Sequence, residues 1–201
     1  SRRSTAPAPR AATKAPTRRR PTTTSAAVPV PKVAPVEGKV ADMTGPGITD
    51  RWGATCADLG ASVPAPNGKL VSVFGDTFSG NRVGEGDWRS PVALIGTGDA
   101  DHQIRYEYAG GADPNYARQL WDYVHDDAST GWTLSGISTV IPSDLRRLGK
   151  SLYLHASVNR GFGNVIWTEI WSSADNGVSW QHMGEKAKFP GALHNGYAQC
   201  W

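Results

Sequence analysis

The sequence predicts an all-β fold for residues 41–201, preceded by a basic linker over residues 1–40. Two observations lead to this class. Short runs rich in Val, Ile, Trp and Tyr recur along the folded part, separated by clusters of Gly, Asn and Asp, as in strands joined by turns. Helical periodicity is almost absent. The best helical candidate, "SDLRRLGK" (143–150), is long enough for only one or two turns.

The first 40 residues are mainly Ala, Pro, Thr, Ser, Arg and Lys. Such a segment cannot bury enough apolar surface to offset the entropy of ordering, so we expect a disordered tether. It holds nine Lys or Arg residues against Glu37 alone, which gives a net charge of +8. The "RRRP" run at 18–21 leaves a second interpretation open, in which the segment binds nucleic acid or anionic envelope polymers.

The folded part carries 12 Lys or Arg residues against 17 Asp or Glu, a net charge of −5, which argues against a nucleic-acid reader. No apolar stretch is long enough for a signal peptide or a membrane span. An Ala/Pro/Thr-rich tether before a folded domain is typical of exported proteins, so we expect a secreted or cell-envelope location. Cys56 and Cys200 would suit one disulfide in an oxidising compartment, but the sequence leaves their pairing open.

Four apolar runs are predicted as strands: "KLVSVFGDTF" (69–78), "SPVALIGTG" (90–98), "SLYLHASVN" (151–159) and "NVIWTEIWSSA" (164–174). Asn-Gly pairs at 67–68 and 176–177 predict two-residue hairpin turns. The first and third runs each follow a Gly-Lys pair. Successive blades of a β-propeller would show such a repeat.

The segment "SADNGVSW" (173–180) fits the Asp-box pattern Ser-x-Asp-x-Gly-x-x-Trp. We expect Asp175 to accept hydrogen bonds from the turn backbone, Gly177 to supply a positive φ, and Trp180 to pack under the hairpin. The motif marks the outer hairpins of propeller blades in sialidase-like proteins. It therefore predicts a β-propeller and a structural role for Asp175.

The sequence contains eight Trp residues, and an indole ring offers a sugar an apolar face and a polar edge. Trp167, Trp171 and Trp180 belong to strand and hairpin patterns, so we expect them in the core. Trp52 and Trp88 lie in Gly-rich loop sequence near acidic residues. They are the better candidates for substrate contacts.

Asp58 and Asp76 are the candidate catalytic residues. The stretch 55–78 is predicted as a hairpin, with Asp58 before its first strand and Asp76 after its second, and such positions meet at the open end of an antiparallel pair. Two carboxylates in one cleft have their pKa values pushed apart, as glycoside hydrolysis requires. The alternative is that Asp58 caps a turn and Asp76 bonds the loop that follows.

Other catalytic patterns are missing from the sequence. There is no G-x-S-x-G nucleophile elbow, no H-E-x-x-H and no Gly-rich phosphate loop. "GDADH" (98–102) and "HDD" (125–127) lack the spacing of a calcium loop, so we expect no metal and no organic cofactor. His155 lies within an apolar strand, and we expect it in the core or facing a central channel.

In this order, the stretches "ADLGASVPAPNGKLVSVFGDTF", "WRSPVALIG", "STVIPSDL", "LYLHASV" and "WSSADNGVSW" resemble an actinobacterial family long catalogued only as a domain of unknown function. The resemblance covers roughly residues 45–201. It implies a five-bladed β-propeller. Some members of the family are endo-acting D-arabinanases, which cut the arabinan of the mycobacterial cell wall.

The resemblance implies that two aspartates carry the hydrolysis. The acid of the family's Asp-Leu-Gly motif matches Asp58, and the acid of its Gly-Asp-Thr motif matches Asp76. The implied chemistry is inverting, which needs a water between carboxyl groups about 6.5–9.5 Å apart; which aspartate is the acid stays open. Asp144 in "IPSDL", His155 and a loop Trp are the implied substrate contacts.

Five blades need more chain than residues 45–201 supply, so we expect a C-terminally truncated propeller. The predicted function is hydrolysis of an arabinan-type cell-wall polysaccharide, the expected partner. The alternatives are a non-catalytic module that binds the same polymer, and an inactive truncated remnant. The sequence leaves the exact sugar, endo or exo action and the oligomeric state open.

Overall fold

The computed structural model describes residues 38–99, 101–126, 136–161 and 163–191. The expectations for the basic linker up to residue 37 and for Cys200 lie outside these residues. Apart from single 3-10 turns such as Asp50–Trp52 and Glu185–Ala187, the regular structure in these ranges is entirely β. The predicted all-β class is therefore confirmed.

The strands of the described chain form three antiparallel sheets. A small sheet contains β1 (Cys56–Ala57), β4 (Thr77–Phe78) and β5 (Trp88–Arg89). The first large sheet contains β2 (Gly60–Pro64), β3 (Leu70–Phe74), β6 (Val92–Asp99) and β7 (His102–Ala109). The second contains β8 (Thr139–Leu148), β9 (Ser151–Asn159), β10 (Val165–Ser173) and β11 (Gln181–His182), with β12 (Lys188–Pro190) pairing with β10.

Each large sheet contains four strands in meander order, β2-β3-β6-β7 and β8-β9-β10-β11, and the second sheet has β12 as a fifth strand beside β10. The four predicted strand runs are confirmed as β3, β6, β9 and β10. The two runs that follow a Gly-Lys pair occupy equivalent places, because β3 and β9 are each the second strand of their sheet. No ring of sheets closes within the described residues.

The stretch "SDLRRLGK", the best helical candidate in the sequence, is not helical, because most of it belongs to β8. The strand pairs along its length with β9, with Leu145 opposite Leu154 and Leu148 opposite Ser151. Leu145 is buried while Arg146 and Arg147 are exposed. Pairing with a central strand outweighs the weak helical preference of a few residues.

Both Asn-Gly pairs lie in hairpin connections, but each connection is longer than the predicted two residues. Between β2 and β3, Ala65 N donates to Lys69 O and Gly68 N donates to Ala65 O. Between β10 and β11, Asn176 and Gly177 both have positive φ, of 64° and 88°. The pairs therefore predicted the places of the hairpin connections correctly and their length incorrectly.

The centre of the first large sheet is buried on both faces. Successive side chains of a strand point to opposite faces, and all five residues of β3 are buried. Phe74 packs on one side against Trp52 and Tyr106. The opposite face packs against the second large sheet through a cluster that contains Val71, Val73, Ile95, Leu145, Leu152 and Leu154. This two-sided burial explains why β3 reads as a nearly continuous apolar run.

The Asp-box turn between β10 and β11 has the predicted construction. Ser179 N donates to Asp175 Oδ1 over 2.9 Å, Gly177 has a φ of 88°, and Trp180 packs against the core between the two large sheets. Burial alone would raise the pKa of Asp175, but hydrogen bonds from Ser179 and Ser173 outweigh it, and the pKa lies below the ordinary value. The turn is structural, as expected.

The same turn also connects the two large sheets. Gly111 N, just after β7, donates to Val178 O over 2.6 Å. Asn67 N, in the β2–β3 connection, donates to Asn176 Oδ1 over 3.2 Å. The Asp box therefore fixes one sheet against the other as well as shaping its own hairpin.

Replacing Gly177 by Ala should destabilise the fold by about 2–4 kcal/mol. The new Cβ would lie 2.7 Å from Val71 Cγ1 and would have to adopt a φ of 88°. Gly184→Ala is the matched control, because its φ is 87° but nothing lies within 4 Å of the added Cβ. Thermal unfolding should show the larger decrease in Tm for Gly177→Ala; equal decreases would mean that the approach to Val71 contributes nothing.

Among the residues described, no helix is both long and apolar enough to cross a lipid bilayer.

Candidate active site

The β2–β3 hairpin brings Asp58 and Asp76 to the same open end, as the sequence predicted. The strands pair from Gly60 opposite Phe74 to Pro64 opposite Leu70. The pairing continues beyond the strands, because Asp58 N donates to Asp76 O over 3.1 Å. Both side chains line one cavity of about 200 Å³.

This cavity lies where the first large sheet meets the start of the second. Among the residues that the structure describes, eight more line it: Leu59, Trp88, Ser138, Thr139, Ile141, Asn159, Gly161 and Gly163. Apolar groups such as Leu59 and Ile141 contribute much of its wall, so the two carboxyl groups face a partly desolvated space. In such surroundings small differences between the groups have a large effect on which one holds a proton.

Asp58 is the acid whose protonated form is favoured. Burial raises the pKa of Asp58, and the neighbouring Asp76 carboxylate raises it further, against the opposing effect of a backbone hydrogen bond. Gly75 leaves room for this side chain, because a Cβ at Gly75 would lie 2.9 Å from Asp58 Oδ1. The glycine between β3 and Asp76 is therefore part of the site's geometry.

Asp76 is held by side chains from two other sheets. Trp88 Nε1, on β5, donates to Asp76 Oδ1 over 2.8 Å, and Thr139 Oγ1, on β8, donates to the same oxygen over 2.5 Å. These donors lie 12 and 63 positions away along the chain. Local turn bonding is therefore not what positions this carboxylate.

Leu59 adopts an unusual backbone conformation at the edge of the cavity. Its φ is 43° and its side chain is 62% exposed. A left-handed conformation costs a non-glycine residue about 1–2 kcal/mol, and an exposed side chain gains little from burial to offset it. The hydrogen bond from Gly75 N to Leu59 O helps to hold this strained residue beside Asp58. Strain of this kind concentrates at functional sites.

The structure brings Trp88 to the two acids and keeps the other predicted contacts apart from them. Trp52 is only 3% exposed and packs edge-on against Tyr106 in the core. Asp144 forms an ion pair with Arg146 over 2.8 Å. His155 is buried within β9. The residues lining the cavity do not include these three.

The sequence predicts that the ring of Trp88 contacts a sugar, but in the structure the edge of this ring faces Asp76 and its face packs against other rings. Its ring stacks on Phe78, with centroids 5.9 Å apart, and on His125, with centroids 3.9 Å apart. The indole N–H at the ring edge points to Asp76. Trp88 therefore supports an acid of the site through its polar edge.

A supporting wall that the sequence reasoning missed lies behind Trp88. The wall consists of Gln119, Tyr123 and His125. Tyr123 donates to Ser90 O over 2.5 Å and accepts from Val140 N over 3.1 Å, and burial raises its pKa. A sequence signal was present, because polar or aromatic residues stand at every second position from 119 to 125, a period typical of extended chain.

Among the residues that the structure describes, no three His, Cys, Asp or Glu side chains come together in a way that could hold a metal ion.

Three comparisons place the chain among known proteins. "Notoamide biosynthesis cluster protein J'" of Aspergillus versicolor is 38% identical over 101 residues, which are 47% of this chain and 26% of that protein. A solved structure of a "putative hydrolase" from Bacteroides ovatus aligns with a TM-score of 0.42 and 13% identity, over 68% of this chain and 40% of that one. The chain thus spans about a quarter of the curated relative and two fifths of the structural neighbour. A family model described as "Domain of unknown function (DUF4185)" matches residues 44–201, a range that includes both acids and the wall behind Trp88, and the chain therefore belongs to this family.

Proposed function

We propose that the protein is an inverting glycoside hydrolase in which Asp58 is the general acid and Asp76 the general base. The observation that supports this is a pair of carboxyl groups in one cavity with unlike surroundings. Burial and the Asp76 charge raise the pKa of Asp58, whereas Asp76 accepts hydrogen bonds from Trp88 and Thr139. Separating two acids in this way is how one fold provides a proton donor and a proton acceptor together.

In the proposed reaction, Asp58 gives its proton to the glycosidic oxygen as the bond to the anomeric carbon breaks. Asp76 takes a proton from a water molecule, whose oxygen attacks that carbon from the opposite face. The products are a sugar of inverted configuration and a free hydroxyl on the leaving group. Asp76 then holds a proton and Asp58 does not, and exchange with solvent restores the starting state.

We propose an arabinan-type furanose polymer of the actinobacterial cell wall as the substrate, and an exported location. The sequence resemblance supports this choice. The described cavity supports a role for the two acids, and experiment has to identify the sugar.

We further propose that the described sheets are blades of a β-propeller. Each large sheet contains a four-stranded antiparallel meander, which is the form of a blade. The Asp box follows β10, the third strand of its meander, as it does in the outer hairpins of propellers. Residues 41–201 would then contribute the first blades of a longer domain.

A non-catalytic polysaccharide-binding module is the second candidate function. The observation that favours it is the mixed lining of the cavity, where Leu59 and Ile141 lie beside the polar side chains of Ser138 and Asn159, since a few polar groups in an apolar pocket suit a bound ligand without any reaction. The two functions differ in turnover, because a binding module retains the polymer and leaves it intact.

The test is incubation of the purified protein with mycobacterial arabinogalactan, followed by analysis of the soluble oligosaccharides and of the bound protein. Release of oligosaccharides, with the first-formed anomer inverted in the NMR spectrum, supports the hydrolase. Retention on the polymer without release supports the binding module. If the protein neither cleaves nor binds the polymer, both proposals are wrong for this substrate.

Gly75→Ala tests whether the position of Asp58 matters. We expect kcat to fall by about tenfold or more, because the added Cβ would lie 2.9 Å from Asp58 Oδ1 and displace the carboxyl group. Gly38→Ala is the control, since a Cβ there meets nothing within 4 Å. Unchanged kcat in a Gly75→Ala protein with a normal Tm would contradict the role given to Asp58.

A further inference from the structure

Both ring nitrogens of His125 face oxygen atoms. Nδ1 lies 2.7 Å from the backbone oxygen of Ser138, and Nε2 lies 3.0 Å from Oε1 of Gln119. A backbone carbonyl oxygen accepts hydrogen bonds and cannot donate them. Nδ1 must therefore carry a proton.

The side chain of Gln119 is fixed in the orientation that also makes Nε2 a donor. Its amide nitrogen donates to Trp121 O over 3.1 Å and to Tyr123 O over 2.9 Å. Its amide oxygen faces Ser90 N, which donates over 3.4 Å. Turning the amide over would set an oxygen against two carbonyls and an NH₂ group against an N–H, so Oε1 is the acceptor. A histidine that donates from both nitrogens is an imidazolium ion.

The His125 ring lies against the face of Trp88, with centroids 3.9 Å apart and planes 22° apart. A cation over an indole ring is attracted by the electrons of its face. The N–H of the same indole donates to Asp76 Oδ1. Positive charge on His125 therefore stabilises the arrangement in which Trp88 points its N–H at a carboxylate.

We propose that His125 is held as an imidazolium ion and is a positioning residue that fixes the Asp76 carboxylate through Trp88. The inference rests on the proposed function only for its effect on turnover. Gln119 sets the charge state, Trp88 transmits its effect, and Asp76 is the group that is positioned. The arrangement gives the proposed base a cationic partner that is not among the described residues lining the cavity of the two acids.

Charged groups of both signs lie around His125, in addition to its two acceptors. The open groove of about 550 Å³ that it lines is also lined by Asp87, Arg89, Arg118 and Asp122. Asp126 follows on the same segment, Asp76 lies beyond Trp88, and the Tyr123 ring stands edge-on with its centroid 4.9 Å away. The carboxylates favour the imidazolium and the arginines oppose it.

The first test is an NMR titration of the wild-type protein, which needs no activity. We expect the ¹⁵N shifts of His125 to show two protonated nitrogens at about pH 7, where an ordinary histidine has largely lost one proton. We also expect the Trp88 indole proton shift to follow the His125 titration. Either of two results would overturn the proposal. One is an unprotonated ring nitrogen of His125 at about pH 6.5. The other is a Trp88 indole proton shift that does not change as His125 titrates.

The second test uses Gln119→Met, which removes the acceptor while the His125 ring remains. We expect kcat on arabinan within about twofold of wild type at pH 6 and at least about tenfold lower at pH 8, with KM little changed, because His125 then titrates normally. Gln103→Met, at an exposed position of β7, is the matched control and should leave the pH profile unchanged. A loss in Gln119→Met that is the same at both pH values would reduce His125 to packing and overturn the proposal.

Discussion

Asp76→Asn is expected to lower kcat on arabinan by about 100- to 10,000-fold, the contribution typical of general acid–base catalysis. The asparagine side chain keeps the shape of aspartate, and its oxygen can still accept from Trp88 and Thr139, which hold that oxygen over 2.8 and 2.5 Å. What it loses is the ability to take a proton from water. Polymer binding should therefore change little while turnover is lost.

The matched control for this variant is Asp42→Asn, which makes the same change at an exposed residue paired with Lys39 and should leave kcat unaltered. Azide provides a second check, because this anion attacks without a base. Azide should restore bond cleavage in Asp76→Asn and yield a glycosyl azide of inverted configuration. Turnover within about tenfold of wild type would remove Asp76 from the role of base.

Asp58→Asn should cause a loss that depends on the leaving group. A sugar alcohol leaves only when its oxygen is protonated, so cleavage of arabinan should fall by about 100-fold or more. A dinitrophenolate leaves without a proton, so an aryl arabinofuranoside should be cleaved nearly as well as by the wild type. The measurement is kcat/KM for both substrates; equal losses on the two would contradict the assignment of Asp58 as the acid.

The same variant should change the pH dependence of stability. Because burial and Asp76 raise the pKa of Asp58, the native state holds this proton more tightly than the unfolded chain does. The stabilisation that comes from this tighter proton binding is therefore complete below the ordinary aspartate pKa. It is lost as the pH rises through the raised pKa of Asp58. In urea unfolding between about pH 3 and 7, the free energy of unfolding of Asp58→Asn should increase relative to that of the wild type as the pH rises. A constant difference would mean that Asp58 has the same pKa in both states.

The parts of the site that could be predicted from the sequence depend on local chain geometry. Asn67-Gly68 between two apolar runs indicated a hairpin, and a hairpin brings its flanking residues together whatever lies around it. The same holds for the Asp box, whose Asp175 and Gly177 act within one turn. Short-range patterns carry this information because backbone hydrogen bonding and φ preferences are properties of neighbouring residues.

The parts of the site that could not be predicted from the sequence depend on contacts between distant segments of the chain. Trp52 was expected to face a sugar because Gly-rich sequence surrounds it, yet it completes the core against Tyr106. Composition identifies a loop but does not say whether the loop folds inward. His125 appeared only as part of a polar stretch, because its role depends on Ser138 and on the orientation of Gln119.

Asp58 and Asp76 lie on one hairpin, whereas the donors that act on Asp76 come from separate sheets. During folding, the acids can approach each other as soon as this low-contact-order element forms, long before Thr139 arrives from β8. Chemical competence is thus acquired last, when the sheets dock. For protein engineering, the hairpin alone is a poor unit to graft. A recipient scaffold would receive two acids that repel each other, without the neighbouring residues that make one of them a proton donor and the other a proton acceptor in the proposed reaction.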